Sequence, residues 1–508
     1  MKQILYLLLG CLIPFQFLTA KMYSSPERTP VDYVNPYIGN ISHLLVPTYP
    51  TVHLPNSMLR VYPERENFTG NTINGLPLIV TSHRGSSAFN LSPYQGELQK
   101  AGSIIQYGYD NEVIKPYYYS VDLDDDGMYV QYAPSHQSGI YQIDFSQTDK
   151  PAYLIFNTRN GELKTDGKSI SGYQKLGNHT QVYIYLETDQ QPLKIGTHQG
   201  AVIRTTDKST QGHNAYYILE YPKGTASVLL RYGVSFISSE QAKQNLRREI
   251  KNYNLQAVAD KGRSVWNETL GKIFVKGGTE NEKTVFYTSL YRTYERMICI
   301  SEDGRYFSAY DGQVHDDEGI PFYVDDWIWD TYRATHPLRL IIETEMESNM
   351  VNSLIRMAYQ MQPNWMPTFP EINGDSRRMN CNHGVATVLD AYNKGMRSFD
   401  LAKAYQVCKA AITEKTLAPW SSKPAGVLDQ FYKDHGYFPA LAVGEQETVP
   451  EVHSWERRQP AAVTLGTVYD EWCLGNIAQA LGDKKEADYF LKRSLNYHKI
   501  FNLSLIHI

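Results

Sequence analysis

The chain has 508 residues, too many for one ordinary hydrophobic core, so at least two domains are expected. At 42% hydrophobic and 20% charged it has the composition of a folded globular protein, and 49 basic against 54 acidic residues leave a net charge of −5. The absence of any basic block argues against nucleic acid as the main partner.

In chain order the first element is an export signal. Lys2 supplies a positive start, residues 4–17 form an apolar run broken by Gly10, Pro14 and Gln16, and Leu18-Thr19-Ala20 offers a small residue for cleavage. Residues 1–20 read as a signal peptide. Within them Leu8-Leu9-Gly10-Cys11 resembles a bacterial lipobox, which would make Cys11 the lipidated first residue, anchored to the outer membrane. Either reading exports the protein, to the periplasm or to the cell surface as a lipoprotein. No later stretch of the sequence is long and apolar enough to span a membrane. The remaining Cys299, Cys381, Cys408 and Cys473 are far apart without CxxC spacing, so buried free thiols are expected rather than a disulfide framework or zinc site.

From residue 31 to 238 the sequence alternates and turns like a β-protein. Strands are expected at 79–81, 117–123, 129–132, 140–145, 152–157, 182–186, 215–220 and 226–232, separated by Gly, Asp, Asn and Pro clusters at the spacing of a sandwich. The 39 tyrosines suit such sheets as well as they suit carbohydrate contact. Ser239-Glu240-Gln241-Ala242 then opens a helix through Arg248, and 253–270 and 282–296 are helical by period. Gly277-Gly278 ends the short extended link 273–275 between them.

Residues 323–338, YVDDWIWDTYRATHPL, set Trp329 and Asp330 in a dense aromatic and charged segment. Sugar sites use such pairs: an indole covers the apolar face of a pyranose and a carboxylate accepts hydrogen bonds from its hydroxyls. The plain alternative is a buried aromatic helix with Asp330 as a cap. Helices follow at 338–360, 385–394, 400–408, 469–481 and 485–501, several with one apolar face. Without a sequence repeat they suggest a helical toroid rather than a solenoid. The expected organisation is a β-sandwich over 21–238, a helical linker over 239–300 and a helical domain over 301–502.

Seven ordered blocks resemble a known family. They are Val31-Asp32-Tyr33-Val34-Asn35-Pro36-Tyr37-Ile38-Gly39; Asn111-Glu112-Val113 with Pro116 and Tyr118-Tyr119-Ser120-Val121; and Gly277-Gly278-Thr279-Glu280 with Phe286-Tyr287-Thr288-Ser289-Leu290-Tyr291. Next come Trp329-Asp330-Thr331-Tyr332-Arg333-Ala334 with His336-Pro337-Leu338, His383 with Asp390-Ala391-Tyr392 and Lys394-Gly395, Tyr469-Asp470-Glu471-Trp472-Cys473, and residues 490–497. Together they resemble glycoside hydrolase family 92, the calcium-dependent exo-α-mannosidases abundant in gut Bacteroidetes. The resemblance covers about residues 31–501.

It implies a β-sandwich plus an (α/α)6 toroid with the site between them, hydrolysing terminal α-mannose from glycans with inversion. Inversion uses an acid and a base roughly 6.5–9.5 Å apart, leaving room for a water. The implied calcium holds two mannose hydroxyls and prefers hard oxygen ligands. On family grounds the acid, the base and most calcium ligands lie downstream of residue 497, so the toroid is expected to be incomplete here and this chain inactive. An open toroid exposes apolar helix faces, so aggregation is expected with it. The hexapeptide 503–508 departs from the family and is read as a non-native, adaptor-derived tail.

The resemblance supports Trp329 as a platform or wall and Asp330 as a hydroxyl acceptor. His383, ahead of a helix, is either a neutral imidazole bonding the sugar or a satisfied structural histidine. Arg333 and His336 are expected one and two turns on from Trp329 along a helix, with Arg333 paired to an acid such as Asp326. The segment from His43 to Thr51 lacks the family's glycines, and Gly466 stands where an acid is usual, so linkage preference is open. Asp375 and Glu371 are not assigned as a catalytic pair. Asp122 to Gly127 mimics a calcium loop, but its twelfth position is Ala133 and calcium is rejected there. The competing functions are a non-catalytic glycan-binding or scaffold protein and a toroid glycosidase acting on glucosides, which a panel of aryl α-mannosides and α-glucosides separates.

Overall fold

Alternation of apolar and polar side chains draws the first half of the chain into antiparallel strands. The computed structural model describes residues 28–41, 48–65, 70–81, 87–123, 127–147, 149–177, 179–200, 202–379 and 381–501. The signal segment with Cys11, residues 43–47, Asp124 to Asp126 and the tail 503–508 lie outside these. In spatial order, Gln106–Lys115, Tyr118–Leu123, Met128–Pro134, Ser138–Asp144, Ser227–Ser235, Thr180–Thr188, Ser169–Gly177, Ala152–Thr165 and Ser209–Tyr221 pair side by side. Phe89–Tyr94 and Leu76–Pro77 branch from Ala152–Thr165.

Buried tyrosines close the two layers over each other. The hydroxyls of Tyr141 and Tyr232 donate to the Pro77 and Leu78 carbonyls at 2.6 and 2.7 Å, and Tyr107 donates to Pro93 at 2.6 Å. Each ring fills the core while its hydroxyl is satisfied, so much of the tyrosine richness serves the sandwich. Seven of the eight expected strands form, most of them longer than expected. At 79–81 only an isolated bridge, Val80 to Ser87, is present. Gln106–Lys115 was not expected because its charged and polar tyrosine-rich sequence shows no clean alternation.

Three helices follow: α1 (Ser239–Glu249), α2 (Leu255–Leu270) and α3 (Glu280–Thr293). Their starts are capped by Ser238, Asn254 and a Thr279–Glu282 capping box. Helices α2 and α3 hold the N-terminal block: Val31 N–H donates to Asn267 at 3.1 Å and Asn35 N–H to Thr288 at 2.9 Å. Arg263 pairs with Asp32 at 2.8 Å.

The helical part comprises α4 (Ile328–Thr331), α5 (Thr335–Ile342), α6 (Thr344–Gln360), α7 (Gly384–Asn393), α8 (Leu401–Thr413), α9 (Val427–His435), α10 (Pro460–Ala480) and α11 (Lys484–Ser494). Helix α10 packs against α7, α8 and α11, and α6 against α5, α7 and α8. This is the β-sandwich plus (α/α)6 arrangement. Sandwich and helices are joined by a buried Arg60–Asp325 ion pair at 2.6 Å, by Asn56 donating to Met297, and by Gln137 donating to Ser301. The four later cysteines are free; three are buried and Cys299 is partly so.

The expected helix 338–360 is two helices, broken at Glu343 (φ −141°, ψ 48°), whose carboxylate takes Lys272 and the Tyr294 hydroxyl from the linker. Helix α10 begins at Pro460, well before the expected 469, because Ala461, Ala462 and Leu465 are exposed while Thr464 and Thr467 are buried, so its first turns show no single apolar stripe. Helix α9 was not among the expected helices; its sequence is punctuated by Gly426 before it and by Gly436, at φ 79°, after it.

Candidate functional site

The segment 323–338 does not form one helix. Helix α4 is a single turn, the chain leaves the helical path at Tyr332–Ala334, and α5 starts at Thr335. Asp326 is buried behind this bend, where its carboxylate accepts from the Thr331 hydroxyl at 2.8 Å and from His336 Nε2 at 2.8 Å. His336 Nδ1 donates to Glu347 at 2.7 Å. Burial alone would lower the His336 pKa, but Glu347 and Asp326 outweigh it and raise it to about 10. The bend is thus fastened to α6 by an imidazolium between two carboxylates. Arg333 does not pair with Asp326, which His336 and Thr331 already occupy; it is exposed, without an ion pair among the described residues.

This bend turns Trp329 and Asp330 outward. Trp329 is 39% exposed, and Asp330 accepts no hydrogen bond or ion pair among the described residues. Partial burial, then the charge of Asp326, lifts the Asp330 carboxyl above its ordinary pKa. The buried-helix alternative for this pair does not hold.

Three blocks distant in sequence meet at Tyr332. Its ring centroid lies 4.1 Å from His383 and 6.0 Å from Tyr469, and Tyr469 stacks on Trp472 at 6.3 Å. His383, the residue before α7, is buried and donates from Nδ1 to Asp470 on α10 at 2.7 Å. The other Asp470 oxygen accepts the Asn382 N–H at 2.9 Å. Buried Lys415 fixes the same turn, donating to Asn382 and Thr368 at 2.8 and 2.7 Å. Burial opposes a charge on His383, but Asp470 outweighs it and holds the pKa up to about 11, so the ring is charged and, of the two readings offered for it, satisfied by a structural partner. Beside it opens a cleft of about 510 Å³ lined by Tyr332, Arg333, Pro337, Ala386, Asp390, Lys394 and Tyr469. His383 joins the Trp329–Asp330 turn through Tyr332 and makes no hydrogen bond to either residue.

On the sandwich side, Arg296 lies over the Trp327 ring at 3.9 Å and pairs with Asp325; Trp327 stacks on Phe369 at 5.7 Å. The charge of Arg296 reaches both Asp330 and Glu371, and Glu371 pairs with Arg378 at 3.3 Å. Arg296, Trp327 and Arg378 escaped the sequence reading because isolated arginines and a second tryptophan carry no local mark of a site. Asp375 closes its own turn, accepting N–H groups of Thr368, Phe369 and Arg377 at 2.9–3.1 Å.

Among the described residues no group of three or more His, Cys, Asp or Glu gathers as a metal cage. The buried carboxylates Asp325, Asp326, Asp375 and Asp470 are each engaged by arginine, histidine or backbone N–H. These residues do not fit calcium.

Residues 33–235 match the Glycosyl hydrolase family 92 N-terminal domain and 241–505 match the Glycosyl hydrolase family 92 catalytic domain. An uncharacterized secreted glycosidase of Arthroderma benhamiae is 22% identical over 96% of this chain and 64% of its own length. Among solved structures, an inverting mannosidase of this family from Bacteroides thetaiotaomicron superposes with a TM-score of 0.82 at 24% identity, over 94% of this chain and 66% of that one. An α-mannosidase of the same organism, in complex with mannoimidazole, gives 0.81 at 21% identity, over 94% and 64%. The chain therefore spans about two thirds of the length of these relatives. With both family domains matched in order across most of its length, the chain belongs to glycosyl hydrolase family 92.

Proposed function

We propose that the protein serves as a glycoside hydrolase removing terminal α-linked mannose from glycans with inversion. One observation carries this reading. A fastened bend presents an exposed indole and an unpaired carboxylate, Trp329 and Asp330, one turn from an aromatic group built around His383. In this role Trp329 covers the apolar face of the sugar and Asp330 accepts its hydroxyls. His383 is a charged donor whose direction Asp470 fixes. The names of the solved relatives, both mannosidases, support the choice of sugar.

The general acid and base are assigned outside the described residues, since the buried carboxylates here are already bound to structural partners. Calcium belongs to the proposal on the same terms. Export does as well, supported by the apolar N-terminal segment and by the secreted relative. The test is proton NMR of the protein, as its gene encodes it, acting on aryl α-mannosides and α-glucosides. Early release of β-mannose is expected; a preference for the glucoside, or release of α-mannose first, contradicts the reading.

A further inference from the structure

The turn that leads to His383 is built over buried cations. Lys415, 4% exposed, gives its ammonium two neutral acceptors, Thr368 Oγ1 at 2.7 Å and Asn382 Oδ1 at 2.8 Å, although an ammonium has three protons to donate. The carboxylates whose charge reaches it, Asp375 and Asp470, are spent elsewhere. Asp375 accepts the N–H groups of Thr368, Phe369 and Arg377, and Asp470 takes His383 and the Asn382 N–H.

Arg377 brings a second cation to the same place. Its guanidinium lies over the Trp365 ring at 4.9 Å, and its Nε is 3.8 Å from Asp375. Its Nη1 is buried without an acceptor among the described residues, and an orphaned charged donor calls for a partner. The Arg377 backbone has φ 50°, a region that strains arginine, and Asp375 holds it there through the N–H at 3.0 Å. Arg377 and Lys415 line one small cavity of about 10 Å³, together with Thr368, Cys381, Asn382 and Ser421. Burial lifts the Cys381 thiol, so it is neutral, and the neighbouring Arg378 is paired with Glu371. Lys415, Arg377 and His383 therefore set three positive charges against two negative ones, Asp375 and Asp470. Burying that excess is costly unless a charge of opposite sign joins it.

We propose that this cavity binds one chloride ion between Lys415 Nζ and Arg377 Nη1. A void of this volume takes one water-sized atom and has no room for sulfate or phosphate. Two charged donors favour an anion over a neutral water, because hydrogen bonds from ionised groups to an anion are the stronger kind. The ion neutralises the excess charge and fastens the tie from Lys415 to Asn382, whose N–H in turn holds Asp470 against His383. The site does not depend on which sugar the protein binds.

Chloride NMR tests it, since exchange with a protein-bound ion broadens the line of the free ion. The unaltered protein near neutral pH is expected to broaden the line saturably. Bromide should displace the chloride and remove the broadening, whereas sulfate at equal ionic strength should not. The broadening should fade as pH rises past about 8, where Lys415 gives up its proton. Arg377→Gln, which removes one charged donor, is expected to weaken chloride binding about tenfold. Absence of broadening overturns the site, and so does broadening that sulfate removes as well as bromide does. Broadening undiminished well above pH 8, or equal chloride affinity in a folded Arg377→Gln, overturns it too; the cavity is then a water site. The sulfate and pH comparisons are read on the unaltered protein, so the proposal stands or falls even where the variant does not fold.

Discussion

His383 and Asp470 lie 87 residues apart, and their contact fixes the angle between the start of α7 and the middle of α10. Removing one partner leaves a buried, uncompensated charge, so Asp470→Asn is expected to cost about 3 kcal/mol in urea denaturation at pH 6. The sign with pH follows from the raised pKa of His383. Its pairing contributes in full below the unfolded value of 6.5 and is lost as pH rises through about 11. The difference between the parent and Asp470→Asn should therefore shrink towards pH 11; a constant difference would mean that the pair is not ionic. The crowding of aromatic and charged residues around Trp329 and Asp330 was legible in the sequence, whereas their exposure was not, because it depends on the bend at Tyr332–Ala334. The partner of His383 was not, since nothing local to Asp470 distinguishes a carboxylate on an inner helix from one facing water. Arg333 was misplaced for a related reason: the helical count assumed an unbroken helix, and the chain bends at Tyr332–Ala334.

Among the elements, helix starts that carry a side-chain cap were legible to within two residues, although the caps themselves were not named. Ser238 and the Thr279–Glu282 box mark their helices by chemistry that acts within one turn. Asp400 does the same for α8, accepting the Lys403 N–H at 2.9 Å. Asp400→Ala is expected to lower stability by about 1 kcal/mol in chemical denaturation. No measurable loss would show that α8 is held by packing alone. The break at Glu343 was hidden because Thr335–Ile342 and Thr344–Gln360 continue one apolar period, and the interruption is imposed by Lys272 and Tyr294 from the linker. Helix α10 was cut short in the reading for the opposite reason. Its exposed face carries Leu465, Tyr469 and Trp472 and its buried face Thr464 and Thr467, so it presents no stripe to count.

For the whole molecule, the junction of sandwich, linker and helices passes through Glu302. Its carboxyl accepts the Phe236 N–H at 2.9 Å, where the sandwich ends, and Asn245 of α1 at 2.7 Å. Fully buried, with its nearest cation, Arg248, already turned to Asp303, it is pushed up to about 7. The unfolded chain ionises Glu302 near 4.5, so this group makes folding progressively less favourable between about pH 4.5 and 7 and adds no further change above that. Glu302→Gln should flatten that part of the stability profile, read as melting temperature against pH; an unchanged slope would assign it elsewhere. The two-part architecture was legible from composition and period, but the junction was not, because it depends on one acid meeting a backbone N–H and a side-chain amide from other parts of the chain.

We propose that the bend carrying Trp329 and Asp330 is a mannose site. Its most direct test is calorimetric titration of methyl α-mannoside and methyl α-glucoside into the protein and into Trp329→Ala. Saturable binding of the mannoside is expected, with weaker binding of the glucoside and loss of about tenfold or more in mannoside affinity in the variant at unchanged melting temperature. Equal affinity for the two sugars, or a variant that binds mannoside as well as the parent does, would contradict it.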